Sequence, residues 1–539
     1  MGNSIQRVDN VLHGPRVDIP IDDKGLGRTI FEKMRQYGER ILQIDPETSE
    51  YQTYENVNRK CIRLALALRS RGINAGDIIL MCSENTMESL VLTYATLYLN
   101  AITVTLDPHM SLIDAVHLLN TISPKLIFAV ENSIALIKNS LAQLDITPKI
   151  VIIGTHRTFG TLIEYLKPHS EEQTFVPDCV GNVKNTAIIF CSSGTTGLPK
   201  AICFSHDAIL KSCIGLSLTA IDCTTCLHYT SVHHIVAFLF TTVGIILGGR
   251  RIIGGRFTPE NFLRYVQDYK VTFSTLTPTC AIQFNDENTK NYKTSSLIEM
   301  RICGTIVGEE QMKILTRCFP ETNIYTSYGQ TESSVTTTFS KFSDCFAKTK
   351  LSSCGVPFIN TKIKISDVET GHKLPPYEKG EIRLINNTTF SGYYNESSQN
   401  CFDNEGFLKT GDIGYYDEDN CLYFCGRLQE SFRYRHWCIV PACIEANIYK
   451  HPAVLEAIVI GMPHEIDLYH ALALIVLRED CNASEQELLS FINTRVPNKE
   501  KLRGGVKIVK ELPKTSTGKI PRQVIRQMLL TGRFNQFYT

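Results

Sequence analysis

An excess of charge of either sign is missing from this sequence. Lysine plus arginine and aspartate plus glutamate each number 55 among 539 residues, so nothing electrostatic argues for nucleic acid or an anionic membrane surface as a partner. Long apolar runs are missing too. The longest, from about Ile235 to Gly248, is shorter than the roughly 20 residues a bilayer demands; it predicts a core helix and no transmembrane segment. A cysteine framework is absent, although cysteine is not. The 19 cysteines are scattered and odd in number, the usage expected of an intracellular, reducing compartment where the thiol is a small core residue. The amino terminus, Met1-Gly-Asn-Ser-Ile-Gln-Arg7, offers no apolar stretch that predicts a signal peptide, and Gln6 stands where a myristoylation pattern wants Ser or Thr. No internal repeat or low-complexity segment is visible, and nothing bears on oligomeric state. At 539 residues the chain exceeds a single hydrophobic core and predicts at least two domains.

Cys223-Thr-Thr-Cys226 with His228, His233 and His234 superficially suggests zinc. A second pair at finger-like spacing is missing and apolar residues fill the gaps, so strand-and-turn cysteines within a core are expected.

What the chain does carry is a loop, Phe190-Cys-Ser-Ser-Gly-Thr-Thr-Gly-Leu-Pro-Lys200, after a short apolar run, Ala187–Phe190, that reads as a buried strand. Glycines let backbone N–H groups turn toward a polyanion, and the hydroxyls and lysine donate further hydrogen bonds. The Walker pattern does not fit here. Alone, such a loop is more often a solvated turn. It does not stand alone: Tyr328-Gly329-Gln330-Thr331-Glu332 follows a second strand-like run. Lys409-Thr410-Gly411-Asp412 follows a third polar turn, then Gly426-Arg427, and Lys514-Thr-Ser-Thr-Gly-Lys519 sits near the end. These five blocks, in this order, resemble the AMP-forming adenylating superfamily of acyl-CoA synthetases, coumarate:CoA ligases and firefly luciferase, from about residue 50 to about residue 530.

The expected fold class is α/β: a large N-terminal domain of stacked βα subdomains, residues 1–428, and a small mobile α+β C-terminal domain, residues 429–539. Before the boundary, helix-like and strand-like segments alternate. Thr258-Pro259-Glu260 predicts an N-cap with Pro at the first helical position and a helix through Tyr269; Val271–Leu276 and Asn323-Ile324-Tyr325 read as strands. After Arg427 comes a module of about 110 residues, with strands at Ala457–Ile460 and Ala471–Leu477, a capping box at Ser484 and Glu487, and a last helix opened by Pro521. Leu428-Gln429-Glu430 is the expected linker. The resemblance implies that the small domain rotates between two half-reactions.

The same resemblance implies roles. Ser192, Ser193, Gly194, Thr195 and Thr196 bind the β- and γ-phosphates of ATP, and Lys200 closes the loop; Gly304 belongs with the nucleotide-binding set. Glu332 holds Mg²⁺, a carboxylate plus phosphate being the usual way to bind that cation. Thr331 contacts the α-phosphate, Tyr328 packs along adenine, Asp412 accepts both ribose hydroxyls, and Arg427 adds contacts on that sugar. Lys519 swings in to bridge the carboxylate and α-phosphate, and His234, of the pair His233-His234, stands near the bound carboxylate and the later thiol path. Taken singly, each also reads as an ordinary surface lysine, turn, core tyrosine or helix-capping histidine.

Departures matter as much. Cys303-Gly304-Thr305 stands where relatives usually carry Gly-Gly-Ala or similar, and Ile235, Val236 and Ala237 where Gly and an aromatic often follow the histidines, so the acyl pocket is expected to be reshaped. Arg433-Tyr-Arg-His436-Trp437 replaces a Lys-x-x-Gly pattern whose glycine lets the backbone pass close to the pantetheine arm of CoA. Arg433 and His436 are the CoA-binding candidates, and thioester formation is in question there.

Three readings follow. The first is an ATP-dependent acid:CoA ligase activating a medium or long fatty acid, or an aryl acid, through an acyl-AMP, with release of pyrophosphate. The second is an adenylating enzyme with impaired CoA transfer, including luciferase-like oxygenation; the third is a non-catalytic nucleotide- or acyl-binding relative. The expected location is intracellular and soluble: peroxisome, by resemblance, although Gln536-Phe-Tyr-Thr539 is not a Ser-Lys-Leu tail, or cytoplasm. Lys519→Ala is expected to lower acyl-AMP formation by about 2.7–4 kcal/mol in transition-state terms while sparing thioester formation from supplied acyl-AMP. Equal losses in the two half-reactions, measured separately, would contradict the assigned role.

Overall fold

Strands buried on both faces read as continuous apolar runs, and four such runs, Ile78–Cys82, Ile102–Leu106, Leu126–Val130 and Thr186–Cys191, become neighbours in one sheet. The computed structural model describes the chain except residues 1–4, 155, 157–158, 193–197, 220, 305–306, 340–343, 436, 480, 514–521 and 535–539. In its eight-stranded sheet the order runs from Gly392–Tyr393 through Ala201–Ser205, Thr186–Cys191, Ile102–Leu106, Ile78–Cys82, Leu126–Val130 and Lys149–Ile153 to Gly160–Thr161. The strands are parallel from Thr186–Cys191 onward, and the two at the other edge are antiparallel additions. A seven-stranded sheet orders Asn323–Thr326, Glu299–Ile302, Phe273–Leu276, Thr225–His228, Arg250–Ile253, Ile41–Ile44 and Tyr51–Thr53, parallel except for the last pair.

One core cluster draws on both sheets, Met81 and Phe190 from the first and Cys226 and Phe273 from the second, with helices Leu26–Tyr37, Tyr54–Arg69, Met87–Tyr98, His206–Leu218 and Ile235–Leu247. Ile235–Leu247 is therefore the expected core helix; it is apolar nearly all round because it is covered nearly all round. Cys223 and Cys226 pack in this cluster. The Cys226 thiol donates to the Cys223 carbonyl, and His228 pairs with Thr275.

A six-stranded antiparallel sheet completes the large domain, in the order Gln6–Val8, Val11–His13, Lys362–Ser366, Gly380–Ile385, Leu408–Tyr416 and Leu422–Arg427. The Lys409–Asp412 block follows a turn at Asn404–Gly406, as expected, and lies inside the long strand Leu408–Tyr416, whose register against the Gly380–Ile385 strand is irregular and in which Gly411 has φ +66°.

From residue 432 onward the chain builds cores of its own, one around Ile444, Val459, Ile475 and Leu488 and another around Ile458, Leu474 and Ile525. Their frame is the hairpin of Val454–His464 and Leu468–Leu477, longer than the two predicted runs. Helix Pro259–Tyr269 begins and ends as predicted, with Thr258 accepting from the Asn261 N–H. Ser484 caps Glu485–Asn493 by accepting from Glu487 N–H. The return half of the expected box is not made: the Glu487 carboxylate lies 3.8 Å from His451. Pro521 falls outside the described residues; the last described helix is Arg522–Leu530.

A buried polar knot ties the seven-stranded sheet to the N-terminus of helix Met87–Tyr98. Gln43, fully buried, accepts two hydrogen bonds from Arg251, at 3.0 and 2.7 Å, and donates to Gln52 and to the Met87 carbonyl. Arg251 also donates to the Thr86 carbonyl at 2.9 Å, and burial pulls its proton affinity down to about 10. Gln43→Leu strands these partners and is expected to destabilise the protein by about 1–3 kcal/mol. The check is a lowered urea midpoint at unchanged slope, with Gln43→Leu/Arg251→Met recovering part of the loss; a midpoint equal to the parent's contradicts the knot's role.

Candidate active site

The antiparallel pairing of Leu408–Tyr416 with Leu422–Arg427 sets Asp412 directly opposite Arg427. Asp412 is only 2% exposed, an expensive place for a carboxylate. Tyr328, from the small sheet of Tyr328–Gln330, Ser334–Thr338 and Val356–Pro357, donates its hydroxyl to Asp412 Oδ2 at 2.8 Å. Arg427 Nε lies 3.0 Å from Asp412 Oδ1. The approach is not along the N–H direction, so Oδ1 receives no hydrogen bond from the described residues. Burial raises the Asp412 carboxyl to about 6, against the pull of Arg427 and Tyr328 and with help from Glu332. A buried acceptor short of a donor is what a ribose diol would satisfy. Tyr328 is itself buried and stacks on Phe424 with centroids 5.8 Å apart, so one of its tasks is to orient Asp412.

Gly329 is required by a close approach: a Cβ there would lie 2.2 Å from the Ser334 carbonyl oxygen. Past it, Thr331 and Glu332 sit in the tight turn Thr331–Ser333, followed by Ser334 at φ +57°. The Glu332 carboxylate accepts from the Tyr393 hydroxyl at 3.0 Å, and the Glu332 carbonyl accepts from Phe390 N–H. The Tyr393 ring in turn carries the Lys200 ammonium 4.2 Å from its centroid. Burial, then the Glu332 charge, pushes the Tyr393 phenol up. Tyr393 is the residue missed by sequence reasoning. Its signal is faint, a Gly-Tyr-Tyr after a hydroxyl-rich turn, and only its antiparallel pairing with Ile202 brings it to Lys200.

The ends of the hydroxyl-rich loop close on each other. Ser192 N–H donates to the Lys200 carbonyl at 3.0 Å, and Lys200 N–H donates to Ser192 Oγ at 3.3 Å. Ser193, Gly194, Thr195 and Thr196 lie outside the described residues, as do His436 and Lys519. Gly304 has φ +122°, a conformation that favours glycine, with open space where a Cβ would stand. Glu332 has no ion pair among the described residues; a carboxylate so placed could hold a divalent cation beside a phosphate.

His234 is exposed and stands at the N-cap of Ile235–Leu247, its ring 4.6 Å from that of His233. His233 is bonded to Ser231 at 2.8 Å and lies 3.7 Å from Asp107. Burial lowers its proton affinity, opposed by Asp107. Asn85 anchors this turn by accepting from Val232 N–H and donating to the Thr230 carbonyl. Beneath it lies a cavity of about 20 Å³ lined by Asn85, His228, Ala237 and Arg251, room for a water and not for an acyl chain. Arg433, a CoA-binding candidate, pairs with Glu369. Among the described residues, the close His/Asp group of metal-ligand type is His464, Asp467 and His470 on the C-terminal hairpin, not the cysteine pair.

Residues 30–394 match the AMP-binding enzyme family and residues 443–519 match the AMP-binding enzyme C-terminal domain. The chain is 30% identical to luciferin 4-monooxygenase of Luciola mingrelica, over 97% of this chain and 98% of that one. It is 27% identical to a probable 4-coumarate–CoA ligase of Dictyostelium discoideum, over 95% and 96% of the two chains. A solved luciferase-like enzyme from the nonluminescent mealworm Zophobas morio superposes with a TM-score of 0.76 at 34% identity, covering 78% of this chain and all of that one. The chain belongs to the AMP-binding enzyme family, and its fold is that of the AMP-forming adenylating enzymes, with a large N-terminal and a smaller C-terminal domain.

Asp412 generates a prediction with a defined sign. Its native carboxyl titrates near 6 instead of the ordinary 3.8, so the folded state binds this proton more tightly than the unfolded one. The contribution favours folding below about pH 4 and is lost as the pH rises through about 6. Asp412→Asn is therefore expected to gain stability relative to the parent between about pH 4 and 7, by up to about 3 kcal/mol. ATP affinity moves the other way: the parent should lose it as the pH falls through about 6, while the variant binds weakly, by about 1–3 kcal/mol, and without that pH step. Urea melts and nucleotide titrations at matched pH check both; parallel pH curves for parent and variant would remove Asp412 from the binding site.

Proposed function

We propose that this protein is an ATP-dependent acid:CoA ligase that converts a fatty or aryl carboxylic acid to its acyl-AMP, releases pyrophosphate and then transfers the acyl group to CoA. The observation that carries the reading is the unsatisfied buried oxygen of Asp412, held by Tyr328 and Arg427 close enough to Glu332 for its charge to be felt. In the first step a carboxylate oxygen of the acid attacks the α-phosphorus and the bond to pyrophosphate breaks. Asp412 and Arg427 hold the ribose, Tyr328 orients Asp412 and offers its ring to adenine, and Gly304 leaves the backbone open toward the nucleotide. Lys200 and the hydroxyl-rich loop, Ser192 to Thr196, take the β- and γ-phosphates. Glu332, oriented by Tyr393, is the residue that would hold Mg²⁺, which when bound neutralises phosphate charge; Thr331 faces the α-phosphate. Lys519 bridges the reacting carboxylate and phosphate. In the second step the CoA sulfur attacks the acyl carbonyl and AMP leaves, along a path near His234, Arg433 and His436. We place the domain boundary at residue 428, where Arg427 ends the last strand of the six-stranded sheet.

A second reading, adenylation with impaired CoA transfer, is favoured by two observations. His436 and Trp437 stand where the resemblance calls for a glycine pattern, and the Arg433 guanidinium is taken up by Glu369. Acid-dependent ATP–pyrophosphate exchange across a panel of fatty and aryl acids, repeated with CoA and assayed for the thioester, separates the readings. Exchange and thioester with the same acid is the expected outcome. Exchange without thioester selects the second reading, and His436→Gly should then raise the thioester-to-adenylate ratio; absence of exchange with every acid refutes both.

A further inference from the structure

Two thiols face each other across the proposed domain boundary. Cys425 lies in the last strand of the six-stranded sheet, Leu422–Arg427, and Cys443 in the first helix after the boundary, Pro441–Ile448. The helix packs directly on the strand: a Cβ added to Gly426 would lie 2.8 Å from Val440, and Ile413, Cys425 and Val440 form a small core against which Cys443 packs. The two residues differ in what surrounds them. Cys425 is buried, whereas Cys443 is half-buried and accepts from the Lys379 ammonium at 3.3 Å. The neighbouring Cys425 thiol and the Lys379 charge draw the Cys443 thiol down against its burial; Cys425 is pushed up by the same pairing and by burial. A partly accessible thiolate beside a cation, backed by a buried second thiol, is the arrangement of a peroxide-sensitive pair.

We propose that Cys443 and Cys425 form a redox site at which hydrogen peroxide or a comparable hydroperoxide installs a disulfide between the two domains. The Cys443 thiolate attacks one peroxide oxygen; the O–O bond breaks and the departing hydroxide takes a proton to become water, leaving Cys443 as the sulfenic acid. The Cys425 sulfur then attacks the Cys443 sulfur, its proton goes to the departing hydroxyl, and a second water leaves. Two electrons pass from the sulfurs to the peroxide, and both thiols become one disulfide. Its consequence rests on the proposed two-step reaction: a covalent bond from strand to helix holds the small domain in one arrangement, so turnover that needs two arrangements stops. The bond itself does not depend on that reading.

The test uses the full chain treated with hydrogen peroxide, blocked with an alkylating agent and digested without reductant. A peptide pair joining Cys425 to Cys443, released by dithiothreitol and absent from Cys425→Ser and Cys443→Ser, is the expected result. Untreated protein at pH 7 should alkylate at Cys443 roughly tenfold faster than at exposed Cys438 or Cys179, and Lys379→Met should erase most of that advantage. Cys443 oxidised without a link to Cys425, a link from Cys425 to neighbouring Cys354 instead, or alkylation of Cys443 no faster than Cys438 overturns the proposal. Where an active acid is known, the cross-linked protein should lose turnover and regain it with dithiothreitol, while Cys443→Ser keeps turnover in peroxide. Full turnover in fully cross-linked protein overturns the locking role.

Discussion

The carboxylate of Asp412 organises this molecule more than any other single group. It is charged chemistry placed in a nearly dry position, and it stays there because a phenol and a guanidinium reach it from two different sheets. Neither partner removes the whole cost of desolvation, which is why the carboxyl holds its proton to about pH 6. The constraint is stringent geometrically. A strand alternates its side chains face to face, so a slip of one residue between Leu408–Tyr416 and Leu422–Arg427 would turn Asp412 away from both partners. The left-handed Gly411 and the irregular register around Ile413 and Gly414 hold it in place.

From that point a chain of contacts runs to the hydroxyl-rich loop. Tyr328 begins the segment that ends in Glu332; Glu332 is held by Tyr393, and Tyr393 lies under Lys200. Each link joins different parts of the fold: the small three-stranded sheet, the antiparallel edge of the eight-stranded sheet, and the loop leaving its Thr186–Cys191 strand. A polyanion would thus be met by groups whose backbones belong to separate elements, and their spacing is set by packing between layers. The polar knot of Gln43 and Arg251 likewise joins the seven-stranded sheet to the start of helix Met87–Tyr98, at the cost of burying a guanidinium.

Where the six-stranded sheet ends and the smaller cores begin, a short turn is flanked by polar anchors. Leu428–Glu430 is a single tight turn. Arg522, on the last described helix, pairs with Glu430 of that turn and with Glu445 of the helix that follows. Arg433 reaches back to Glu369, and Lys379 to Cys443. Arg433–Glu369 is an exposed pair of the kind that contributes little stability, whereas Arg522 and Glu445 are largely buried, so that the pair fastens the last described helix to the helix Pro441–Ile448.

Much was legible in one dimension. Strand Thr186–Cys191, helix Pro259–Tyr269 with its Thr258 cap, and the covered helix Ile235–Leu247 follow from local periodicity and capping, which depend on neighbours a few residues away. The ordered motif blocks likewise identified the family, because each block carries particular residue types at short spacing. Other features could not be read there. The Lys409–Asp412 block is legible as residues after a turn, but its place in a strand comes from pairing with Gly380–Ile385 and Leu422–Arg427. Tyr393 stood out from no other tyrosine until its pairing with Ile202 carried it to Lys200 and Glu332. Glu487 satisfies half of a capping box while its carboxylate turns to His451. The sequence by itself determined most of the local elements and the family. Which residues share a site, and which thiols face each other across the boundary, was decided only by contacts between residues tens to hundreds of positions apart, since side-chain distance across layers leaves no trace in local order.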